Sequence, residues 1–224
     1  MLTKSELLQA IDLIIAEYTS GHVSRFISNH FEDETFHTEG AIFTSMDCND
    51  AAWIVFRGTD SAKNIIMDLL FPQLVIPYGN HDSKIRVHGG FLLGYIGYAR
   101  GYVQSWLKDH GNIKKIVLIG HSLGSALATL CAVDIQYNLS GMDIQCITFG
   151  SPRVGNVYFQ RSYNQRVPNT FRYVYKNDFF IHIPPKCIEF EHIGNMIQLG
   201  KPGCLSFKDH DIMRYREAIN TEVI

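Results

Sequence analysis

Apolar and polar positions along this chain alternate between two periods, one helical and one of strands, and the switches between them mark out its elements. The first segment is helical. In Leu2-Thr3-Lys4-Ser5-Glu6-Leu7, Thr3 stands as N-cap and Glu6 completes a capping box, while Leu2 and Leu7 form a hydrophobic staple. Leu8, Ile11, Ile14 and Ile15 then recur on one helical face.

Strand-like runs at 41–46 and 51–57 are separated by Asp47-Cys48-Asn49-Asp50, which predicts a β-hairpin. Strand character returns at 85–88, and a helical pattern covers 91–107. Gly94, Gly97 and Gly101 fall on one face of that helix. Each glycine costs about 0.5–1 kcal/mol there, so the set predicts close approach to another element.

A turn at Gly111-Asn112 leads into a strand at 115–119, a helix running to about Tyr137, and a buried strand at 144–149. Further strands are expected at 171–175, 187–192 and 196–199, with Pro184-Pro185 between the first two. A last helix is expected from about Asp211 to Ile219. Strands alternating with helices imply a mostly parallel central sheet with helices on both faces and antiparallel strands at one or both edges.

The 224 residues suit a single α/β domain spanning 1–224. With 46% hydrophobic and 19% charged residues and no repeat or low-complexity tract, order is expected throughout except at the termini. A net charge of −2 with interspersed signs excludes a basic stripe for nucleic acid or a polybasic patch for anionic lipid. No apolar run reaches the ~18 residues that a membrane-spanning helix needs. The helical start does not read as a signal peptide, so the default location is cytoplasmic, or secreted if a leader had been removed. Nothing in the sequence fixes an oligomeric state.

Five cysteines, at 48, 131, 146, 187 and 204, are an odd number without C-x-x-C spacing and imply no disulfide framework. Cys131 and Cys146 fall in apolar elements, where free cysteine acts as a small hydrophobe. A Cys187–Cys204 pair is left open.

Between the strand Lys115-Ile116-Val117-Leu118-Ile119 and the helix-forming Ser125-Ala126-Leu127-Ala128-Thr129-Leu130 stands Gly120-His121-Ser122-Leu123-Gly124. This is the G-x-S-x-G nucleophile elbow in a strand-turn-helix context. The sharp turn exposes the serine hydroxyl, and the helix N-terminus behind it offers free N–H groups to a developing oxyanion. Acyl transfer through Ser122 is the chemistry this predicts, with no metal or organic cofactor.

A serine hydroxyl needs a base, and the base needs a carboxylate to fix its tautomer. In α/β-hydrolases these follow in the order serine, acid, histidine. Asp178 comes directly after the strand at 171–175 and is the expected acid. Asp134 falls inside the elbow helix, Asp143 precedes a strand, and Asp209 adjoins the histidine too closely. Of the three histidines after Asp178, His210 in a polar loop before the last helix is the expected base. His182 is flanked by isoleucines as a buried structural residue would be, and His192 is the stronger rival. The oxyanion hole is expected from the N–H of Leu123 and from Thr59, in the loop Arg57-Gly58-Thr59-Asp60 after an early strand.

Jointly these segments resemble the class 3 lipase family, the group of the fungal triacylglycerol lipases and related feruloyl esterases. Ile54-Val55-Phe56-Arg57-Gly58-Thr59 resembles its oxyanion strand, and Val87-His88-Gly89-Gly90-Phe91 its helix entry. The elbow, then Thr148-Phe149-Gly150-Ser151-Pro152-Arg153-Val154-Gly155-Asn156, Asn177-Asp178 before Pro184-Pro185, and His210 before a terminal helix continue the likeness. Two departures are Ser125, where many members have glycine, and a chain shorter than typical fungal lipases. His88 and His121 match family positions but are read as structural.

In the family a lid follows the oxyanion residue, and here that stretch is the apolar segment at about 60–71. Ile65, Ile66, Met67, Leu69 and Leu70 would cover an apolar cleft in water and open at a lipid surface. The alternative is a helix buried in the core. The resemblance thus implies an α/β-hydrolase fold and a serine ester hydrolase acting on acylglycerols, its partner a lipid or other ester substrate at an interface. Phospholipase A1 activity, short-chain or feruloyl-type esterase activity, and a non-catalytic lipase-like module are the alternatives.

Overall fold

A computed structural model describes residues 2–35, 38–58, 74–75, 83–139 and 141–221. Its main sheet has seven strands: β1 (Phe26–Asp33), β2 (Thr38–Ser45), β3 (Cys48–Phe56), β6 (Lys115–His121), β7 (Asp143–Phe149), β9 (Thr170–Tyr175) and β11 (Asn195–Leu199), neighbours in that order. The β1–β2 and β2–β3 pairs are antiparallel, and every later pair is parallel. The antiparallel strands thus stand at one edge only. A second, antiparallel sheet joins β4 (Leu74–Val75), β5 (Val87–His88), β8 (Gly155–Asn156) and β10 (Phe190–Glu191). The fold is that of an α/β-hydrolase.

The alternation of side chains along each strand divides the core in two. On one face Ile54, Phe56, Ile116, Leu118 and Cys146 pack under α2 (Gly89–Gly94), α3 (Arg100–Asp109), α4 (Leu123–Asn138) and α5 (Val157–Arg166). On the other, Val55, Val117, Ile119, Ile147 and Phe149 pack under α1 (Lys4–Thr19) and α6 (Ile212–Thr221). The described helices that link β3, β6, β7 and β9 all pack on the first face, as connections of one hand must when strands are added in one direction. The terminal helices therefore cover the second face, tied to each other where Arg216 Nε donates to Asp12 Oδ1 at 2.6 Å.

Several expectations are met residue for residue. Thr3 caps α1 with the full capping box. Helix α4 buries every residue from Gly124 to Ile135, as a helix apolar all round does when enclosed between a sheet and other helices. Other expectations change. The hairpin turns at Met46-Asp47, so Cys48, Asn49 and Asp50 already belong to β3, and a register shift lies at Thr44/Ser45. The helix expected at 91–107 runs as α2 and α3 joined by a π-helical turn, Tyr95–Ala99. That turn shifts the helical phase, and the three glycines do not share a packed face: Gly94 is buried while Gly97 and Gly101 are exposed. A Cβ on Gly101 would meet nothing within 4 Å.

The strand expected at 187–192 shortens to β10, preceded by a 3₁₀ turn at Lys186–Ile188. All five cysteines are free, and Cys187 and Cys204 are exposed thiols rather than a pair. Among the described residues no helix is long and apolar enough to cross a membrane. Thr59 and the segment with Ile65, Ile66, Met67, Leu69 and Leu70 lie outside the described residues.

Candidate active site

The C-terminal ends of β6, β9 and β11 lead to Ser122, Asp178 and His210 respectively, at the edge where open parallel sheets place their ligands. Ser122 sits between β6 and α4 with φ 56° and ψ −128°, a left-handed backbone that costs a non-glycine residue about 1–3 kcal/mol. The turn fits only because its flanks lack side chains. A Cβ on Gly120 would lie 2.3 Å from the Gly124 carbonyl oxygen, and one on Gly124 would lie 2.1 Å from that of Phe56. Ser125, the departure noted in the sequence, donates its hydroxyl to the carbonyls of Gly120 at 2.9 Å and Phe149 at 3.1 Å, tying helix to strand.

Asp178 is fully buried. His210 Nδ1 lies 2.8 Å from its Oδ2, Tyr215 donates its hydroxyl to the same oxygen at 2.7 Å, and the Phe180 N–H donates to Oδ1 at 2.9 Å. Burial pushes this carboxyl up, but the bonds from His210, Tyr215 and Phe180 outweigh it and hold the group below its usual range. Tyr215, buried beside that charge, is held well above the usual tyrosine range and stays a donor. The acid and base loops are joined through backbone: Phe179 N–H donates to Ser206 O at 3.1 Å and Ser206 N–H to Asn177 O at 3.0 Å.

A carboxylate can only accept, so Nδ1 of His210 is the donor, and in the neutral ring the lone pair is then on Nε2. The ring stacks on Phe180 at 3.8 Å and lies 4.6 Å from the ring of His121, the residue before Ser122. Ser122 Oγ and His210 Nε2 are both buried, and neither makes a hydrogen bond among the described residues. The carboxylate-imidazole link expected from sequence is therefore formed, and the hydroxyl-imidazole link is not. Catalytic hydrogen bonds commonly tighten only with substrate in place.

The rivals sit elsewhere. Asp134 is buried in α4, accepting from Tyr95, Arg100, Gln104 and Asn138. Asp209 pairs with Arg214 at 3.6 Å. His182 is exposed, not buried as its isoleucine neighbours suggest, and contacts Asn177 Oδ1, while His192 contacts the Ile181 carbonyl. His88 caps α2, accepting from the Phe91 N–H, as a structural residue does. Leu123 opens α4, where backbone N–H groups have no intrahelical partner. Gly58, just before Thr59, packs on the nucleophile: a Cβ there would lie 3.0 Å from Ser122 Cβ. Tyr215, Phe180 and Gly150 do not stand out in the sequence, since nothing local distinguishes a tyrosine that reaches a carboxylate from one that fills the core. Among the described residues no group of three or more His, Cys, Asp or Glu is arranged to hold a metal ion.

The sequence pattern of the family "Lipase (class 3)" matches residues 53–187, more than half of the chain, and the chain belongs to that family. Over 167 residues it is 34% identical to a lipase of Rhizopus niveus, an alignment covering 70% of this chain and 40% of that protein. The chain thus spans about two fifths of the curated relatives it matches first. Lipase II from Rhizopus niveus superposes with a TM-score of 0.74 at 26% identity, covering 87% of this chain and 81% of that one. A structure described as a triacylglycerol lipase whose catalytic centre is formed by a serine protease triad gives 0.75 at 26% identity, over 89% and 82% of the two chains.

Proposed function

We propose that this chain is a serine carboxylic-ester hydrolase, a lipase that cleaves acylglycerol esters through an acyl-enzyme on Ser122. His210 takes the hydroxyl proton and returns it to the leaving alcohol, while Asp178 fixes the imidazole tautomer and stabilises the imidazolium. The N–H of Leu123 and Thr59 bind the oxyanion, and water then releases the fatty acid. The apolar segment at about 60–71 acts as a lid on what is a single catalytic domain, opening at a lipid surface.

One observation carries the reading: a buried carboxylate held below its usual range, bonded to an imidazole whose other nitrogen is free, beside a serine on a strained elbow. Family membership and the triad described for a similar triacylglycerol lipase support it.

The test is turnover of triacylglycerol, phospholipid and soluble aryl ester by wild type and Ser122→Ala, with fluorophosphonate labelling of both. Ser122→Ala is expected to lose labelling and several orders of magnitude in kcat. Triacylglycerol turnover should rise above the substrate's solubility limit. Preference for phospholipid or for short soluble esters would replace the acylglycerol assignment with a phospholipase A1 or an esterase, and an active Ser122→Ala would end the mechanism.

A further inference from the structure

The residue before the nucleophile is joined to three other segments by hydrogen bonds that admit one direction only. His121 Nε2 lies 2.8 Å from the backbone carbonyl of His210. A carbonyl can only accept, so Nε2 carries the proton. Burial, reinforced by the nearby His210, drives the His121 pKa down to about 3, so the ring is neutral and Nδ1 keeps its lone pair. Tyr18 Oη stands 2.9 Å from that Nδ1 and must donate to it. The Gly58 N–H in turn donates to Tyr18 Oη at 3.1 Å.

The path runs from Gly58 through Tyr18 and His121 to His210. It links the end of β3, the last turn of α1, the elbow and the base loop, with sequence separations of 40, 103 and 89 residues. His121 is 5% exposed, and its ring lies 30° from the plane of the His210 ring. Both ends of the path matter to the reaction. At one end the tether holds the peptide of the base; at the other it holds Gly58, whose backbone packs on Ser122 and whose neighbour is Thr59. Fixing Gly58 fixes the end of β3 against the nucleophile.

We propose that Tyr18 and His121 are positioning residues, setting the Gly58 backbone and the catalytic imidazole in register with Ser122 through one directed hydrogen-bond path. The inference rests on the roles given above to Ser122, Thr59 and His210 and goes further, since His121 reads from sequence as structural and Tyr18 does not draw notice there. Neither residue hydrogen-bonds to Ser122 Oγ or to His210 Nε2. A neutral His121 also spares the imidazolium that forms on His210 a second positive charge against its face.

The experiment compares Tyr18→Phe, His121→Gln, His121→Leu and the double variant Tyr18→Phe/His121→Leu with wild type. A soluble aryl ester gives kcat and KM, fluorophosphonate gives an inactivation rate, and thermal melts give folding. Tyr18→Phe should lower kcat and the inactivation rate about tenfold, the worth of one lost positioning bond, with KM within about twofold. His121→Gln keeps an amide donor and should lose less than His121→Leu. The double variant should cost no more than His121→Leu alone, because both changes cut the same path.

Wild-type kcat in Tyr18→Phe, losses that track the folded fraction, or single losses that simply multiply in the double variant would overturn the proposal. Ser122→Ala run alongside separates the two readings. If Ser122→Ala is inactive while Tyr18→Phe behaves as wild type, only the positioning role fails; if Ser122→Ala stays active, the function itself does.

Discussion

At the scale of single residues, the site is assembled by contacts that leave almost no freedom. Gly150 shows how little: it has φ +59°, and a Cβ there would stand 2.7 Å from Asp178 Oδ2 and 2.8 Å from His210 Nδ1. Gly150→Ala should therefore wedge the acid from the base. We expect kcat to fall by on the order of 10²-fold, the usual penalty of misplacing a catalytic group by about 1 Å, with the far-ultraviolet circular dichroism of the wild type. A fully active Gly150→Ala would show that the acid-base contact does not set the rate. From sequence, Gly150 is one residue in a family-like turn; its service to the site is invisible there because the residues it makes room for lie 28 and 60 positions on.

Among elements, those with a one-sided burial pattern or an explicit cap are legible, and those without are not. Helix α1 carries both, and Thr3 makes its capping bonds with Glu6 at 2.8 and 3.2 Å. Thr3→Ala should lower stability by about 1 kcal/mol and the melting midpoint by roughly 2–4 °C for a chain of this size. Turnover should be untouched, because the cap lies at the end of α1 away from Tyr18; an unchanged melt would show that tertiary packing alone holds the helix.

Strand β1 escapes notice for the opposite reason. As an edge strand it buries only Phe31 fully, so no alternation is written into Phe26–Asp33. Helix α5 buries only Phe159 and Tyr163, a single i, i+4 pair after the Asn156 cap, too short a signal to stand out in a polar stretch. The π turn of α2–α3 is a third case, since an inserted residue leaves no trace in composition.

Among the described residues, His88 and His121 are buried and His192 is partly buried, and the surroundings of each favour the neutral ring. Burial lowers His88 to about 4 and His121 to about 3, and burial with nearby Arg172 lowers His192 to about 2. In the unfolded chain each titrates near ~6.5, so below that value the unfolded state binds more protons than the folded one. Each group then removes about 1.4 kcal/mol of stability per pH unit until its folded value is reached. Stability should be full above about pH 6.5 and should fall as pH drops from there towards 4.

The lowered carboxyl of Asp178 acts in the same direction at still lower pH. Among the described carboxyls only Glu17 opposes, because burial raises it and protonation relieves that cost. Urea denaturation followed from pH 7.5 to 5 measures the slope. A flat profile over that range would mean these imidazoles are protonated in the folded state.

The alternation of strands and helices around the elbow, the elbow itself, the order of Ser122, Asp178 and His210 along the chain, and the cap of the first helix are determined by the sequence alone, because each is local: a spacing, a turn residue, a periodicity. Tertiary structure decided what no window of residues contains. It placed the antiparallel strands at one edge and kept Cys187 and Cys204 apart. It set His210, and not His192, against Asp178 by bringing two loops together through Phe179 and Ser206, packed Tyr215 and Gly150 on that pair, and linked Tyr18 through His121 to the His210 backbone. Side-chain chemistry fixes what each residue can do, whereas its partner is fixed by how seven strands and their helices pack, and contacts 30 to 100 positions apart exist only once they have.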